Sequence, residues 1–136
     1  MLFESPTDRD KVAVILVDHG STVDQSNRLL VEIVEAYRRH SGWKIVEPAH
    51  MELAEPSIAA AFGSCAQQGA ELVIVMPYFL GPGRHSSRDI PRLAAEAGQA
   101  FPRLEYLVTA PLGLDEFLLR VVDERIAEAI ASSRYR

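Results

Sequence analysis

The sequence predicts an α/β domain built on a four-stranded parallel sheet with helices on both faces. Short, β-rich apolar runs alternate along the chain with longer amphipathic segments. The first run, VAVILV at residues 12–17, is apolar throughout, as expected for a strand covered on both faces. The amphipathic segments carry their apolar residues at helical spacing. The resulting βαβαβαβα order implies right-handed crossovers that place helices against both faces of one sheet.

Each element is predicted from a local signal. Strands are expected at residues 12–17, 45–51, 72–76 and 104–109. The first helix, 24–40, places Leu29, Leu30, Ile33, Val34 and Tyr37 on one stripe. The second is opened by Pro56, closed by Gly69, and buries Ile58, Phe62, Cys65 and Ala66. The third has the stripe Ile90, Leu93, Ala94, Ala97 and Phe101. The fourth runs from an Asp115 N-cap to Ala131, with Leu118, Val121, Val122, Ile126 and Ile130 facing inward.

The bulk composition is that of one ordinary globular domain. With 136 residues, we expect a single domain over 1–136, with its core at about 11–131. No apolar run approaches the roughly 20 residues that span a bilayer, so no membrane segment is expected. The net charge of -5 argues against nucleic-acid binding. A single cysteine, Cys65, excludes an internal disulfide or a Cys-rich metal site, and with no visible secretory signal it indicates the cytoplasm.

Reactive side chains are expected in the loops that follow the strands, because ligands bind at the carboxyl ends of parallel strands. The loops after the first three strands carry His19, Glu52 and His85, and 33 residues separate each of these from the next. That spacing matches one βα unit, so the three occupy equivalent places. Two imidazoles and one carboxylate suit a divalent first-row metal ion, and three ligands leave positions open.

Each residue also has an ordinary explanation when it is taken alone. His19 could hydrogen-bond its own loop, Glu52 could be a solvated carboxylate, and His85 could be a surface residue. Their equal spacing favours the joint interpretation as a metal site. His50, two residues before Glu52, is a candidate auxiliary ligand. Cys65 is expected in the core.

A local basic patch contrasts with the acidic chain. Arg84, Arg88 and Arg92 follow one another at helical spacing. Such a stripe is often only a solvated face, but here it begins beside His85 at a helix N-terminus, where anions are favoured. Gly81 and Gly83 would allow a flat ligand to approach the backbone.

Several motifs together resemble one known family. VDHGS at 17–21, IVEPAHMELAEPSI at 45–58, PYFLGPGRH at 77–85 and TAPLG at 109–113 are similar to the sirohydrochlorin chelatases. The long second block resembles in particular the plant-type sirohydrochlorin ferrochelatases.

The resemblance implies the class II chelatase fold, in a chain that pairs as a homodimer. It implies insertion of Fe2+ into sirohydrochlorin in sirohaem biosynthesis, or alternatively of Co2+ for cobalamin. His19, Glu52 and His85 would then hold the metal and act catalytically. Ser21, Gly81, Gly83, Arg84 and Arg88 are expected to contact the substrate.

The metal is expected as a substrate, with no tightly bound cofactor. The plant enzymes carry a cysteine-bearing tail associated with an iron–sulfur cluster, and the C-terminal residues here contain no cysteine, so no cluster is expected. Two other classes stay open. One is a non-catalytic metal- or tetrapyrrole-binding module. The other is a phosphate-binding hydrolase-like domain, disfavoured because the sequence has neither a P-loop nor a nucleophile elbow.

Overall fold

The computed structural model describes residues 6–81 and 86–133 of the chain. Its strands are β1 (Val12–Asp18), β2 (Ile45–His50), β3 (Leu72–Pro77) and β4 (Glu105–Val108). All pairings are parallel, in the order β2-β1-β3-β4. The predicted four-stranded parallel sheet is therefore confirmed, and β4 is shorter at both ends than predicted.

The central strand β1 is the most buried element. Val14 pairs with Val46 on one side and with Ile74 on the other. Residues 12–17 are all buried, which agrees with the uninterrupted apolar run in the sequence. In β3 the burial alternates, because only one face of that strand is fully covered.

The helices are α1 (Asp24–Ser41), α2 (Ile58–Gln67), α3 (Ser86–Ala100) and α4 (Glu116–Ala131). The α1 helix ends at Gly42, whose left-handed conformation lets its N–H donate to the Arg38 carbonyl at 3.0 Å. The α2 helix begins one residue after Ser57, whose hydroxyl oxygen accepts a hydrogen bond from the Ala60 N–H. The prediction that Pro56 opens α2 was wrong by two residues, because this serine supplies the cap. No helix in the described ranges combines the length and apolar character needed to cross a membrane.

Helices cover the two sheet faces unequally. On one face, α2 and α3 pack over the whole sheet, with Phe62 and Ile90 fully buried beneath them. On the other face, α1 packs Leu30 and Val34 over β1 and β2. Trp43 lies in the α1 cluster, and the Arg9 guanidinium lies 3.8 Å from its ring centroid.

The fourth helix differs from the prediction. Asp115 is its N-cap as expected, accepting a hydrogen bond from the Phe117 N–H at 2.9 Å. The predicted inward stripe is wrong, because no residue of α4 is buried. Val122 and Ile126 are 53% and 54% exposed. The chain leaves the sheet after β4 and α4 does not return to it, so the amphipathic pattern has no partner surface among the residues that the structure describes.

Candidate functional site

The strand order brings the loops of the predicted site together. β2, β1 and β3 are neighbours, with β1 in the middle. Parallel neighbours lie about 4.8 Å apart, so the ends of β2 and β3 are about 10 Å from each other. His19 directly follows β1, and Glu52 lies two residues beyond the end of β2. Their loops therefore leave the same edge of the sheet, and β3 leads into the sequence that contains His85.

Backbone hydrogen bonds hold the first two loops in register. The Glu52 N–H donates to the His19 carbonyl at 3.1 Å, and the Met51 N–H donates to the Asp18 carbonyl at 2.8 Å. On the other side of β1, the Tyr78 N–H donates to the Val17 carbonyl at 2.6 Å. The His19 and Glu52 side chains are both exposed, so both are accessible to an ion from solvent.

Gly20 allows these loops to make contact. Its φ is +88°, in the left-handed region, and a Cβ built there would lie 1.8 Å from the Glu52 carbonyl oxygen. No other residue fits that space without moving the backbone. Glycine is therefore required at position 20, because the backbone beside His19 lies directly against that of Glu52.

Phe79 positions the His19 ring, a role that was not predicted from the sequence. The two rings are stacked with centroids 4.5 Å apart and an interplanar angle of 26°. Phe79 itself packs against the core cluster beneath α2 and α3. The signal available in the sequence for this contact was an aromatic residue two positions after β3, the strand beside the one that leads to His19.

His50 has a different environment from the one expected for a ligand. It is 2% exposed, and its Nδ1 lies 2.6 Å from Asp18 Oδ1. Asp18 and His50 are paired across β1 and β2, so their hydrogen bond joins the two strand ends beneath the exposed loops. Glu52 by contrast is exposed. His50 therefore has a structural contact of its own, and the partner that sequence reasoning missed is Asp18.

The start of α1 fixes the loop after His19. The Ser21 N–H donates to Asn27 Oδ1 at 3.1 Å, and Asn27 Nδ2 donates to the Ser21 carbonyl at 2.7 Å. The Ser21 hydroxyl oxygen accepts from the Val23 N–H at 2.9 Å. That hydroxyl keeps its own hydrogen for a ligand, so its predicted substrate contact stays a prediction.

The remaining predicted residues are only partly described. Gly81 is exposed, and a Cβ there would meet nothing within 4 Å. Arg88 is exposed in the first turn of α3. Arg92 pairs with Glu96 at 3.0 Å and lies 3.6 Å from Asp89. Gly83, Arg84 and His85 lie outside the described residues.

No group of three His, Cys, Asp or Glu side chains suited to a metal ion occurs in residues 6–81 and 86–133. The predicted triad stays a prediction, because His85 is its third member. What the described residues establish is the adjacency of the His19 and Glu52 backbones at one edge of the sheet.

Comparison with known proteins identifies the family. The family model described as CbiX matches residues 13–129. The chain belongs to the CbiX family. A relative named sirohydrochlorin ferrochelatase, chloroplastic, from Arabidopsis thaliana is 52% identical over 122 residues, covering 90% of this chain and 54% of that protein. The resemblance inferred from the motifs is therefore confirmed.

Two further proteins resemble most of this chain. The sirohydrochlorin cobaltochelatase of Methanopyrus kandleri is 30% identical over 139 residues, covering 88% of this chain and 97% of that protein. The structure described as SirB from Bacillus subtilis with Fe3+ has a TM-score of 0.81 at 28% identity, covering 88% of this chain and 47% of the other. The chain thus spans about half the length of the Arabidopsis and Bacillus proteins.

Proposed function

We propose that this chain is a sirohydrochlorin chelatase, an enzyme that inserts Fe2+ into sirohydrochlorin. The observation that carries the proposal is the meeting of the loops after β1 and β2, with His19 and Glu52 joined through their backbones and both side chains open to solvent. The relative with 52% identity is named for this reaction. Iron is preferred over cobalt because that relative is a ferrochelatase.

In this proposal His19, Glu52 and His85 hold the incoming ion. Imidazole nitrogens bind first-row metals well, and the carboxylate adds negative charge without making the site too soft. Three protein ligands leave the remaining positions for the macrocycle, so the ion can be handed over. The stack on Phe79 fixes the plane of the His19 ring, which reduces the ordering needed when the ion arrives.

The macrocycle must lose two N–H protons as the metal enters. A neutral imidazole has one lone pair, so His19 and His85 can each accept one of these protons at the nitrogen that the ion vacates as it enters the macrocycle. Sirohydrochlorin is rich in carboxylates, so Arg84 and Arg88 are assigned to its rim, with Ser21, Gly81 and Gly83 beside its plane. The exposed Arg88 at the start of α3 supports this assignment.

The test is metal insertion followed by absorbance of the tetrapyrrole. His19→Ala, His85→Ala and Glu52→Gln are each expected to lower the rate at least 100-fold while circular dichroism stays unchanged. The matched control for the carboxylate is Glu32→Gln, because Glu32 is an exposed glutamate on α1; its rate should equal that of wild type. Wild-type rates in both histidine variants would contradict the assignment.

Turnover separates an enzyme from a carrier. Protein at one tenth of the substrate concentration should yield about ten equivalents of metallated product per chain, whereas a binding module stops near one. Cobalt insertion is the second candidate, since the Methanopyrus relative is named a cobaltochelatase. Initial rates with Fe2+ and Co2+ under anaerobic conditions decide between the metals.

The proposed setting is a homodimer in the cytoplasm that acts without nucleic acid or a membrane surface. The net charge of -5 supports the exclusion of nucleic acid, because such partners are held by basic surfaces. Sedimentation tests the dimer, and cell fractionation tests the compartment and the absence of membrane association.

A further inference from the structure

A buried histidine lies at the base of the two loops that carry His19 and Glu52. His50 is 2% exposed, whereas every other buried side chain in the described part of the chain is hydrophobic. An imidazole in such surroundings destabilises the fold unless its nitrogens find hydrogen-bond partners. The position of His50 therefore depends on the contact that it makes.

That contact is a hydrogen bond across the ends of β1 and β2. The His50 Nδ1 lies 2.6 Å from Asp18 Oδ1, and the Asp18 side chain is 24% exposed. Because a carboxylate only accepts hydrogen bonds, Nδ1 is the donor. A hydrogen bond to an ionised group that is largely shielded from water is stronger than one at the surface. Asp18 and His50 are also the last paired residues of the two strands, so their side chains hold the strands together where the backbone ladder ends.

The backbones of the same two residues hold the loop that contains Glu52. The Met51 N–H donates to the Asp18 carbonyl at 2.8 Å. The His50 N–H donates to the Pro56 carbonyl, also at 2.8 Å. This loop is thus fastened to β1 at its start and closed on itself at its base.

The two proposed metal ligands on these loops follow the pair closely along the chain. Asp18 directly precedes His19, and His50 lies two residues before Glu52. The Glu52 N–H donates to the His19 carbonyl at 3.1 Å, and a Cβ at Gly20 would lie 3.2 Å from the His50 Cβ. A change in the separation of the pair would therefore move the two ligands relative to each other.

Small movements matter at a metal site. Ligand-to-metal distances at a workable site agree with their ideal values within about 0.2 Å. The His19 and Glu52 side chains are exposed, so much of the order that the site needs before an ion arrives must come from the backbone beneath them. The Phe79 ring supports His19 from the β3 side, and the hydrogen-bonded pair is the corresponding support on the β2 side.

We propose that Asp18 and His50 form a positioning pair that holds the ligands on the loops after β1 and β2 at the separation that the ion requires. Neither member of the pair binds the ion, and both act through the backbones of the residues that do. The inference rests on the proposed function, whose metal ligands it takes as given, and names the residues that preorganise them.

Co2+ binding to the whole chain tests the pair without requiring turnover. Bound Co2+ absorbs visible light with an intensity that depends on the ligand geometry, so one titration reports both affinity and geometry. Asp18→Ala and His50→Phe are each expected to weaken Co2+ binding about 10-fold and to change the visible band. Asp18→Asn keeps an oxygen that accepts from Nδ1, so its affinity should stay within about threefold of wild type.

Metal insertion supplies a second readout. In Asp18→Ala and His50→Phe, kcat/KM for the metal should fall by a similar factor, whereas KM for sirohydrochlorin should stay nearly unchanged, because neither side chain is assigned to the macrocycle. The double variant should be no worse than either single variant, since both substitutions remove the same bond.

Val73→Ala is the matched control for a loss of stability alone. Val73 is fully buried and pairs with Ala13 near the amino ends of the strands, away from the candidate site. Its replacement should lower Tm without changing Co2+ affinity or the visible band. All affinities are measured at a temperature at which circular dichroism shows each variant to be folded. If His50→Phe does not fold, Asp18→Ala carries the test, because it alters a partly exposed side chain.

The outcomes separate this inference from the chelatase assignment. Equal Co2+ affinities in wild type, Asp18→Ala and His50→Phe would overturn the positioning pair and leave the metal site intact. Loss of binding in His50→Phe but not in Asp18→Ala would make His50 a ligand itself, and an Asp18→Asn variant as weak as Asp18→Ala would assign the effect to charge, so either result would refute the proposal. A wild-type chain that binds no Co2+ would refute the metal site and the pair together.

Discussion

Replacing Gly20 with alanine tests whether the contact between the first two loops organises the site. The new Cβ would start 1.8 Å from the Glu52 carbonyl oxygen, whereas ordinary contact begins near 3.4 Å. The two loops must therefore separate by about 1.6 Å. Misplacement of a reacting group by about 1 Å can cost about 100-fold in rate, so we expect metal insertion to fall by about that factor.

Gly20→Ala also forces an alanine to a φ of +88°, which costs about 1–3 kcal/mol. Gly69→Ala is the matched control, because Gly69 has a φ of +92° and a Cβ there would meet nothing within 4 Å. Both variants should lose stability, and for a chain of this size 1 kcal/mol lowers Tm by about 3–5 °C. Only Gly20→Ala should lose activity.

The assay pairs thermal unfolding with initial rates of metal insertion into sirohydrochlorin. If Gly20→Ala inserted metal at the wild-type rate, the contact between the loops would have no role in the reaction. If Gly69→Ala lost activity to the same degree, the loss would follow from general destabilisation, and the argument from the Glu52 contact would fail.

Three further predictions follow from neighbouring contacts. Phe79→Leu keeps an apolar side chain but removes the ring stack, and should lower the insertion rate about tenfold, measured by absorbance, with Tm nearly unchanged. Asp18→Ala leaves the buried His50 Nδ1 without its partner, which should cost about 1–3 kcal/mol in urea unfolding. Burial raises the pKa of the Cys65 thiol to about 12, and the negative charge of Glu47 contributes secondarily. A disulfide reagent should therefore modify this thiol only after unfolding. Above about pH 9 the unfolded thiol loses its proton while the folded one keeps it, so stability should fall by about 1.4 kcal/mol per pH unit relative to Cys65→Ala.

The sheet and most helices were predictable because local signals agree with the tertiary structure. The run at 12–17 is apolar on both faces since β1 is central, and Asp115 caps α4 as its position indicates. The prediction that the apolar stripe of α4 faces inward was wrong for a physical reason. Amphipathic spacing shows that a helix has an apolar side, but not which surface covers it.

The sequence predicted which loops form the site, but not which side chains contact one another there. Equal spacing placed His19 and Glu52 at equivalent strand ends, and the structure joins their backbones. The Asp18 hydrogen bond to His50 and the Phe79 stack were missed, because both cross between strands whose order the sequence does not state. The role of His85 stays a prediction.

The strand order also determines where the molecule can receive a planar guest. The connections from β1 and β3 leave for opposite faces of the sheet, since α1 packs on one face and α3 on the other, and a crevice opens where adjacent strands diverge in this way. His19 follows β1 and Phe79 follows β3, so their stacked rings join the two loops that flank this point. In the proposed function, the exposed imidazole of His19, backed by the half-buried ring of Phe79, would be the surface that a planar guest meets at this crevice.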